Sequence, residues 1–140
     1  MRQILLFAAL AASLALLSGC ALSRAKEDKA EDMTGKAAYH KISAEEAYEM
    51  MASQEVVVVD VRTREEYDGG HIENAVLVPN ESIDSEMPEA LPDKEATLLI
   101  YCRSGRRSKD AAEKLLALGY QSVYDFGGVI DWPYELVKEG

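Results

Sequence analysis

The most reactive side chain in this sequence is Cys102, which lies between an apolar run and a helical pattern. Residues 97–101 predict a buried strand, and a helix is predicted to begin near Arg107 or Ser108. The loop between them contains Gly105, and the nearby cations are Arg103, Arg106, Arg107 and Lys109. Loop amides, a helix N-terminus and cationic side chains all favour a thiolate over a thiol. The pattern therefore predicts that Cys102 is an exposed nucleophile with a lowered pKa.

The charge balance of the chain makes this cationic loop stand out. The 140 residues carry a formal net charge of −10, which argues against binding to nucleic acid or to anionic lipid headgroups. Residues 102–109 nevertheless hold four positive charges and no negative one. We therefore expect the loop to bind a small anionic ligand.

A thiolate beside an anion site can serve two chemistries. It can attack a sulfane sulfur to form a persulfide, or attack phosphorus to form a phosphocysteine, and the loop would stabilise anionic charge in both reactions. The two histidines, His40 and His71, lie far from Cys102 in sequence, which disfavours a Cys–His hydrolase. No Cys and His cluster has ligand spacing, so we expect neither a metal nor an organic cofactor.

The first residues are typical of an export signal. Arg2 precedes an apolar run, residues 4–17, that is too short for a spanning helix and leads into Leu-Ser-Gly-Cys. This ending resembles the lipobox of bacterial lipoproteins, in which the cysteine is lipidated and becomes the new N-terminus. We therefore expect three parts, which are a signal peptide at 1–19, a lipidated Cys20 with a flexible tether at 20–38, and a domain at 39–140.

The alternative for this segment is an ordinary signal peptide with an incidental cysteine. If Cys20 carries lipid, Cys102 keeps the only thiol of the mature chain, because the sequence has two cysteines. A lone thiol exported to an oxidising compartment is a liability unless it is used. Ala21 follows Cys20, where Asp is the inner-membrane retention signal. We therefore expect an outer-membrane anchor facing the periplasm in a Gram-negative host, and a cell-membrane anchor otherwise.

The rest of the pattern alternates strands and helices. Capping boxes at Ser43 and Thr63 predict two helix starts, and Gly119 is suited to end the helix after Cys102. Strands are predicted at 39–42, 56–61, 75–78, 97–101 and 121–124, one short helix within 81–95, and a last helix from about 131 to 138. This alternation predicts an α/β sandwich whose central, mainly parallel sheet has helices on both faces.

Several fragments together resemble the rhodanese family in its single-domain form. Residues 102–108, Cys-Arg-Ser-Gly-Arg-Arg-Ser, resemble its active-site loop C-x-x-G-x-R-S. The other matching fragments are Asp60-Val61-Arg62 with Glu66-Tyr67, Gly70-His71-Ile72, Leu118-Gly119-Tyr120, Gly127-Gly128 and Trp132. The similarity covers about residues 39–138. Many members have Gly where Asn74 stands, and we expect Asn to keep the turn because it tolerates left-handed backbone.

The resemblance implies a rhodanese-like three-layer sandwich with five strands and Cys102 as the persulfide-carrying nucleophile. It also implies an anion cradle made by the backbone amides of Arg103, Ser104, Gly105, Arg106 and Arg107. In the family this loop has six residues in sulfurtransferases and seven in phosphatase relatives, and Cys102 to Arg107 counts six. Exported small rhodaneses that use thiosulfate carry an arginine at the position of Arg106. The resemblance therefore favours sulfur over phosphate as the atom attacked.

The remaining polar residues receive structural roles. Asp60 interrupts a buried strand and needs a partner, for which Arg62 is the obvious candidate. We expect His71 to be a polar link at a strand start and Trp132 to lie in the core. Arg106 and Arg107 are predicted to bind substrate, because cations in the first turn of a helix are unfavourable without an anion.

The sequence thus predicts a membrane-anchored, extracytoplasmic sulfurtransferase. It would move sulfane sulfur from thiosulfate or a similar donor to a thiol or cyanide through a Cys102 persulfide. One alternative is a non-catalytic module of the same fold that carries a persulfide or binds a partner, and another is a phosphatase of that fold. We expect a monomer that binds no nucleic acid.

Overall fold

The computed structural model describes residues 37–139. The strands are β1 (Ala38–Lys41), β2 (Val57–Asp60), β3 (Val76–Leu77), β4 (Thr97–Cys102) and β5 (Ser122–Gly128). The α-helices are α1 (Ala44–Ser53), α2 (Arg64–Asp68) and α3 (Arg106–Ala117), with short 3₁₀ helices at Asn80–Ser82 and Val129–Asp131. The predicted signal peptide, Cys20 and residues 20–36 of the predicted tether lie outside the described residues. Within 37–139, no helix has the length and apolar character needed to cross a membrane.

The five strands form one parallel sheet in the order β1-β5-β4-β2-β3. β4 lies in the centre, between β5 and β2, and it is buried along nearly its whole length. Such a strand is apolar on both faces, since helices must cover both sides of it. The predicted buried strand before Cys102 is therefore confirmed, and the structure places it at the centre of the sheet.

Two separate groups of side chains form the core, one on each face of the sheet. α3 packs Ala111 and Leu115 against one face. α1 and α2 pack Ala47 and Tyr67 against the other. The predicted three-layer sandwich with helices on both faces is confirmed.

The local signals for helix starts are also confirmed. Ser43 and Glu46 form a reciprocal capping box at α1, with hydrogen bonds of 3.1 and 2.7 Å. Thr63 and Glu66 do the same at α2. Asn74 adopts a left-handed φ of 63°, as expected for the turn before β3.

The end of the chain corrects the sequence prediction. β5 runs on to Gly128, beyond the predicted end at 124, and no helix follows at 131–138. After the 3₁₀ turn, Pro133 offers no backbone N–H, and Val137 exchanges two backbone hydrogen bonds with His71 at 2.8 and 2.9 Å. The last segment therefore satisfies its backbone across the fold instead of within a helix. The short helix predicted within 81–95 is likewise reduced to the single 3₁₀ turn at Asn80–Ser82.

Candidate active site

Cys102 is the last residue of β4, at the carboxyl edge of the sheet. Gly105 then turns the chain into α3 with a φ of 100°, a backbone conformation that residues other than glycine rarely adopt. α3 begins at Arg106, one residue earlier than the sequence suggested. The cysteine therefore lies where a buried strand meets a helix N-terminus, as predicted, and this edge is where parallel α/β sheets bind ligands.

The Cys102 thiol is held by hydrogen bonds inside this loop. The Gly105 N–H donates to Sγ at 3.0 Å. Burial by itself raises the pKa of the Cys102 thiol, but hydrogen bonds from Ser108, Gly105 and Ser104 outweigh it and lower the pKa below its ordinary value. The predicted direction is therefore confirmed. The predicted exposure is wrong, because Cys102 is only 1% exposed.

Ser108 is a site residue to which sequence reasoning assigned no role. It is fully buried in the first turn of α3, and its hydroxyl lies 3.1 Å from the carbonyl oxygen of Gly105 and 3.3 Å from that of Gly127. Both its backbone N–H and its hydroxyl favour the thiolate of Cys102. The sequence did contain a signal for this residue, because Ser108 is the last residue of the motif at 102–108 and lies in the first turn of the helix that follows the cysteine loop.

The Gly127-Gly128 pair supports the loop from β5. Cys102 pairs with Gly128 in the sheet. A Cβ atom at Gly128 would lie 2.6 Å from the Cα of Ser104, so no larger residue fits there without moving the loop. The Ile130 N–H also donates to the Arg103 carbonyl at 3.2 Å. The glycine pair recognised in the sequence therefore allows β5 to approach the cysteine loop closely.

The loop arginines differ in their surroundings. The side chains of Arg103 and Arg106 are exposed, as is Ser104. Arg107 instead forms a two-pronged ion pair with Glu66, at 2.8 Å for each nitrogen–oxygen contact. Arg107 hydrogen bonds lower the pKa of Glu66 to about 2 despite some burial. Both partners therefore stay charged at neutral pH, and Arg107 is tied to α2.

Asp60 and Arg62 form a second ion pair at the end of β2, as the sequence predicted. The shortest contact, from Nη2 to Oδ2, is 2.6 Å, and Arg62 also donates to the Gly70 carbonyl at 2.8 Å. Tyr101, which sequence reasoning left out, donates its hydroxyl to Asp60 at 2.6 Å and accepts from the Ile72 N–H at 3.1 Å. The cluster thus locks β2, β4 and the segment before β3 together.

Both histidines are engaged away from the thiol. His71 is buried, its Nδ1 lies 2.9 Å from the Tyr67 carbonyl, and its ring stacks on the Tyr67 ring at 3.6 Å. His40 stacks on Tyr124 at 4.6 Å.

Trp132 is half-buried against Phe126, at 5.5 Å between ring centroids. In the described part of the chain, no group of three or more His, Cys, Asp and Glu side chains could hold a metal ion.

A small cavity of about 320 Å³ opens beside the cysteine loop. Arg62, Glu66 and Arg103 supply its polar lining, and Val129, Ile130 and Leu136 its apolar lining. A larger cavity, of about 430 Å³, lies at the amino ends of β2 and β4 and is therefore at the opposite edge of the sheet. The smaller cavity is at the same edge of the sheet as Cys102 and has Arg103 in its lining, whereas Cys102 itself is not one of its lining residues.

Comparisons with known proteins agree with this geometry. A family model described as a rhodanese-like domain matches residues 43–133. A tRNA uridine(34) hydroxylase from Yersinia pestis is 31% identical over 106 residues, which is 72% of this chain and 30% of that protein. The chain therefore spans less than a third of the length of the curated relatives that it matches.

Solved structures of small relatives match over most of their length. A structure described as rhodanese with anions from E. coli is 35% identical with a TM-score of 0.54, covering 59% of this chain and 98% of that one. A human single-domain sulfurtransferase is 26% identical with a TM-score of 0.60, covering 66% of this chain and 93% of that one. Because the family model covers more than half of the sequence, this chain belongs to the rhodanese-like family.

Proposed function

We propose that this protein is a sulfurtransferase that carries sulfane sulfur as a persulfide on Cys102. The observation that carries the proposal is the thiol itself, which receives the Gly105 N–H at 3.0 Å and has a lowered pKa although it is buried. Buried structural cysteines lack such donors and stay protonated. The similarity to a human single-domain sulfurtransferase supports the same reaction class.

The proposed reaction has two displacements at sulfur. The Cys102 thiolate attacks the outer sulfur of thiosulfate, the sulfur–sulfur bond of thiosulfate breaks, and sulfite leaves with the electron pair. Cyanide or a thiolate then attacks the outer sulfur of the persulfide, and the bond to Cys102 breaks to return the thiolate. The products are thiocyanate or a new persulfide. The loop amides stabilise the negative charge on the sulfur throughout. The two displacements as written need no metal or organic cofactor.

An anionic donor such as thiosulfate fits the edge of the sheet at which Cys102 lies. The loop backbone and the exposed cations Arg103 and Arg106 supply positive charge on a chain whose net charge is −10. The relative from E. coli is described with anions. The cavity beside the loop is small, which suits a small donor and leaves a small thiol or cyanide room to approach.

The decisive experiment measures two activities of the full chain side by side. Thiosulfate-to-cyanide transfer is expected, aryl-phosphate hydrolysis is not, and Cys102→Ser should abolish transfer. Mass spectrometry after thiosulfate should show a one-sulfur adduct on Cys102. Phosphate release in place of thiocyanate would favour the phosphatase alternative. An adduct that no acceptor removes would favour a persulfide-carrying module.

We also propose that the protein acts outside the cytoplasm, anchored by lipid on Cys20. The support is the lipobox-like ending of the N-terminal apolar run. Two or more acyl chains on one cysteine suffice for stable anchoring. Wild type should enter the detergent phase of a two-phase extraction and Cys20→Ser should not. Equal partitioning of the two proteins would refute the anchor without affecting the proposed chemistry.

A further inference from the structure

Asp125 is a buried carboxylate that the proposed chemistry does not use. It is 1% exposed and stands in β5 between Tyr124 and Phe126. Its Oδ2 accepts from the Tyr39 hydroxyl at 2.8 Å and lies 3.3 Å from the Lys41 ammonium. Its Oδ1 accepts from the Gly127 N–H at 2.9 Å. A buried acid in an otherwise apolar strand needs a reason, because its desolvation is costly.

The hydrogen bond from the Gly127 N–H to Asp125 spans an irregularity in the sheet. Ile100 pairs with Asp125, but Tyr101 pairs with Gly127, so Phe126 is an extra residue in β5. A bulge of this kind leaves a residue out of the ladder and changes the direction of the strand. The Asp125 side chain bonds two residues ahead, across the bulge, and so replaces the missing ladder contact. Gly127 takes a φ of 92° there.

The bulge directly supports the cysteine loop. A Cβ atom at Gly105 would lie 3.6 Å from the Cα of Gly127, so the two turns are in near contact. The Gly127 carbonyl lies 3.3 Å from the Ser108 hydroxyl, which in turn favours the Cys102 thiolate. A path of direct contacts therefore runs from Asp125 through Gly127 to the residues that surround the sulfur.

We propose that Asp125 is a positioning residue of the Cys102 site. It holds the β5 bulge in the one shape that places Gly127 and Ser108 correctly for the thiolate. Tyr39 and Lys41 contact Oδ2 of Asp125, whereas the Gly127 N–H donates to Oδ1. The proposal rests on Cys102 being the reactive group of the proposed function, and it adds a residue that touches neither the thiol nor the donor.

The test is the pH dependence of Cys102 alkylation in folded protein. Asp125→Ala should raise the apparent pKa of the thiol by about one unit, which lowers the alkylation rate about ten-fold at a pH below both values. Asp125→Asn should restore the wild-type pKa, because an amide oxygen still accepts from the Gly127 N–H. Tyr39→Phe is the matched control, since it removes a hydrogen bond to the same carboxylate and leaves the Gly127 contact in place.

Two outcomes would overturn the proposal. One is an unchanged thiol pKa in folded Asp125→Ala, and the other is an equal shift in Tyr39→Phe. If Asp125→Ala does not fold, Gly127→Ala tests the same path from the bulge, since a φ of 92° disfavours alanine. An unchanged pKa there would also refute the path. Alkylation needs no sulfur transfer, so the result stands whether or not the wild type transfers sulfur.

Discussion

Two arginine–carboxylate pairs flank the cysteine loop, and they differ in burial. The side chains of Arg62 and Asp60 are 6% and 0% exposed, whereas those of Arg107 and Glu66 are 20% and 28% exposed. The buried pair has further partners in Tyr101 and Gly70. The outer pair bridges the first turns of α2 and α3.

The difference in burial separates two roles. A buried charge has no water to replace a lost partner, so breaking the Asp60–Arg62 pair is costly. This pair therefore serves only to hold the edge of the sheet together. A partly exposed pair can exchange one partner for an incoming anion at little cost, since water supports whichever charge is released. We therefore infer that Arg107 can turn from Glu66 toward the donor, and that Arg62 cannot leave Asp60.

The largest expected effect comes from a substitution that breaks the buried Asp60–Arg62 pair. Asp60→Ala leaves the Arg62 guanidinium buried without a counter-ion, so the free energy of unfolding should fall by about 3–5 kcal/mol in urea titrations. Asp68→Ala is the matched control, because it removes a carboxylate from the exposed Arg64–Asp68 pair and should cost less than about 0.5 kcal/mol. Similar losses for the two variants would contradict the distinction by burial.

The outer pair should matter for binding more than for stability. Arg107→Ala should raise the thiosulfate KM about ten-fold, as expected for loss of one charge-assisted hydrogen bond, while costing at most about 1 kcal/mol in stability. Glu66→Gln should change KM less than about three-fold, because it frees Arg107 without removing its charge. A stability loss as large as that of Asp60→Ala would show that both pairs serve the fold alone.

A smaller effect is expected at Arg106, whose exposed charge is screened by water. Arg106→Ala should raise the thiosulfate KM about two- to five-fold, which corresponds to at most about 1 kcal/mol. Lys109→Ala is the control for a general loss of positive charge on α3. If KM does not change in Arg106→Ala, the substrate role belongs to Arg107 and the backbone amides.

The smallest effect concerns acid stability. The pKa of Glu66 is lowered from 4.5 to about 2, chiefly by the hydrogen bond from Arg107 and further by hydrogen bonds from Thr63, so these contacts contribute stability that is fully present above about pH 4.5. That contribution is lost as the pH falls toward 2. The difference in unfolding free energy between wild type and Glu66→Gln should therefore shrink over this range. A difference that is constant with pH would mean that the pair is not formed in solution.

Local signals predicted much of this molecule correctly. The capping boxes at Ser43 and Thr63 depend only on neighbouring residues, and the buried run at 97–101 has no other place than a sheet interior. The prediction failed where distant segments compete for the same backbone. Residues 131–138 look helical in isolation, yet Val137 bonds to His71, which lies far away in sequence.

The sequence by itself determined the α/β alternation, the position of Cys102 at a strand-to-helix turn, and the pairing of Asp60 with Arg62. These follow from short-range patterns and from the cost of burying a lone charge. Only the tertiary structure decided that Cys102 is buried, that Ser108 and the loop amides lower its pKa, and that Glu66 binds Arg107 across 41 residues of sequence. It also brought Asp125 to the bulge behind the loop, because that contact depends on how β5 meets β4 in the folded sheet.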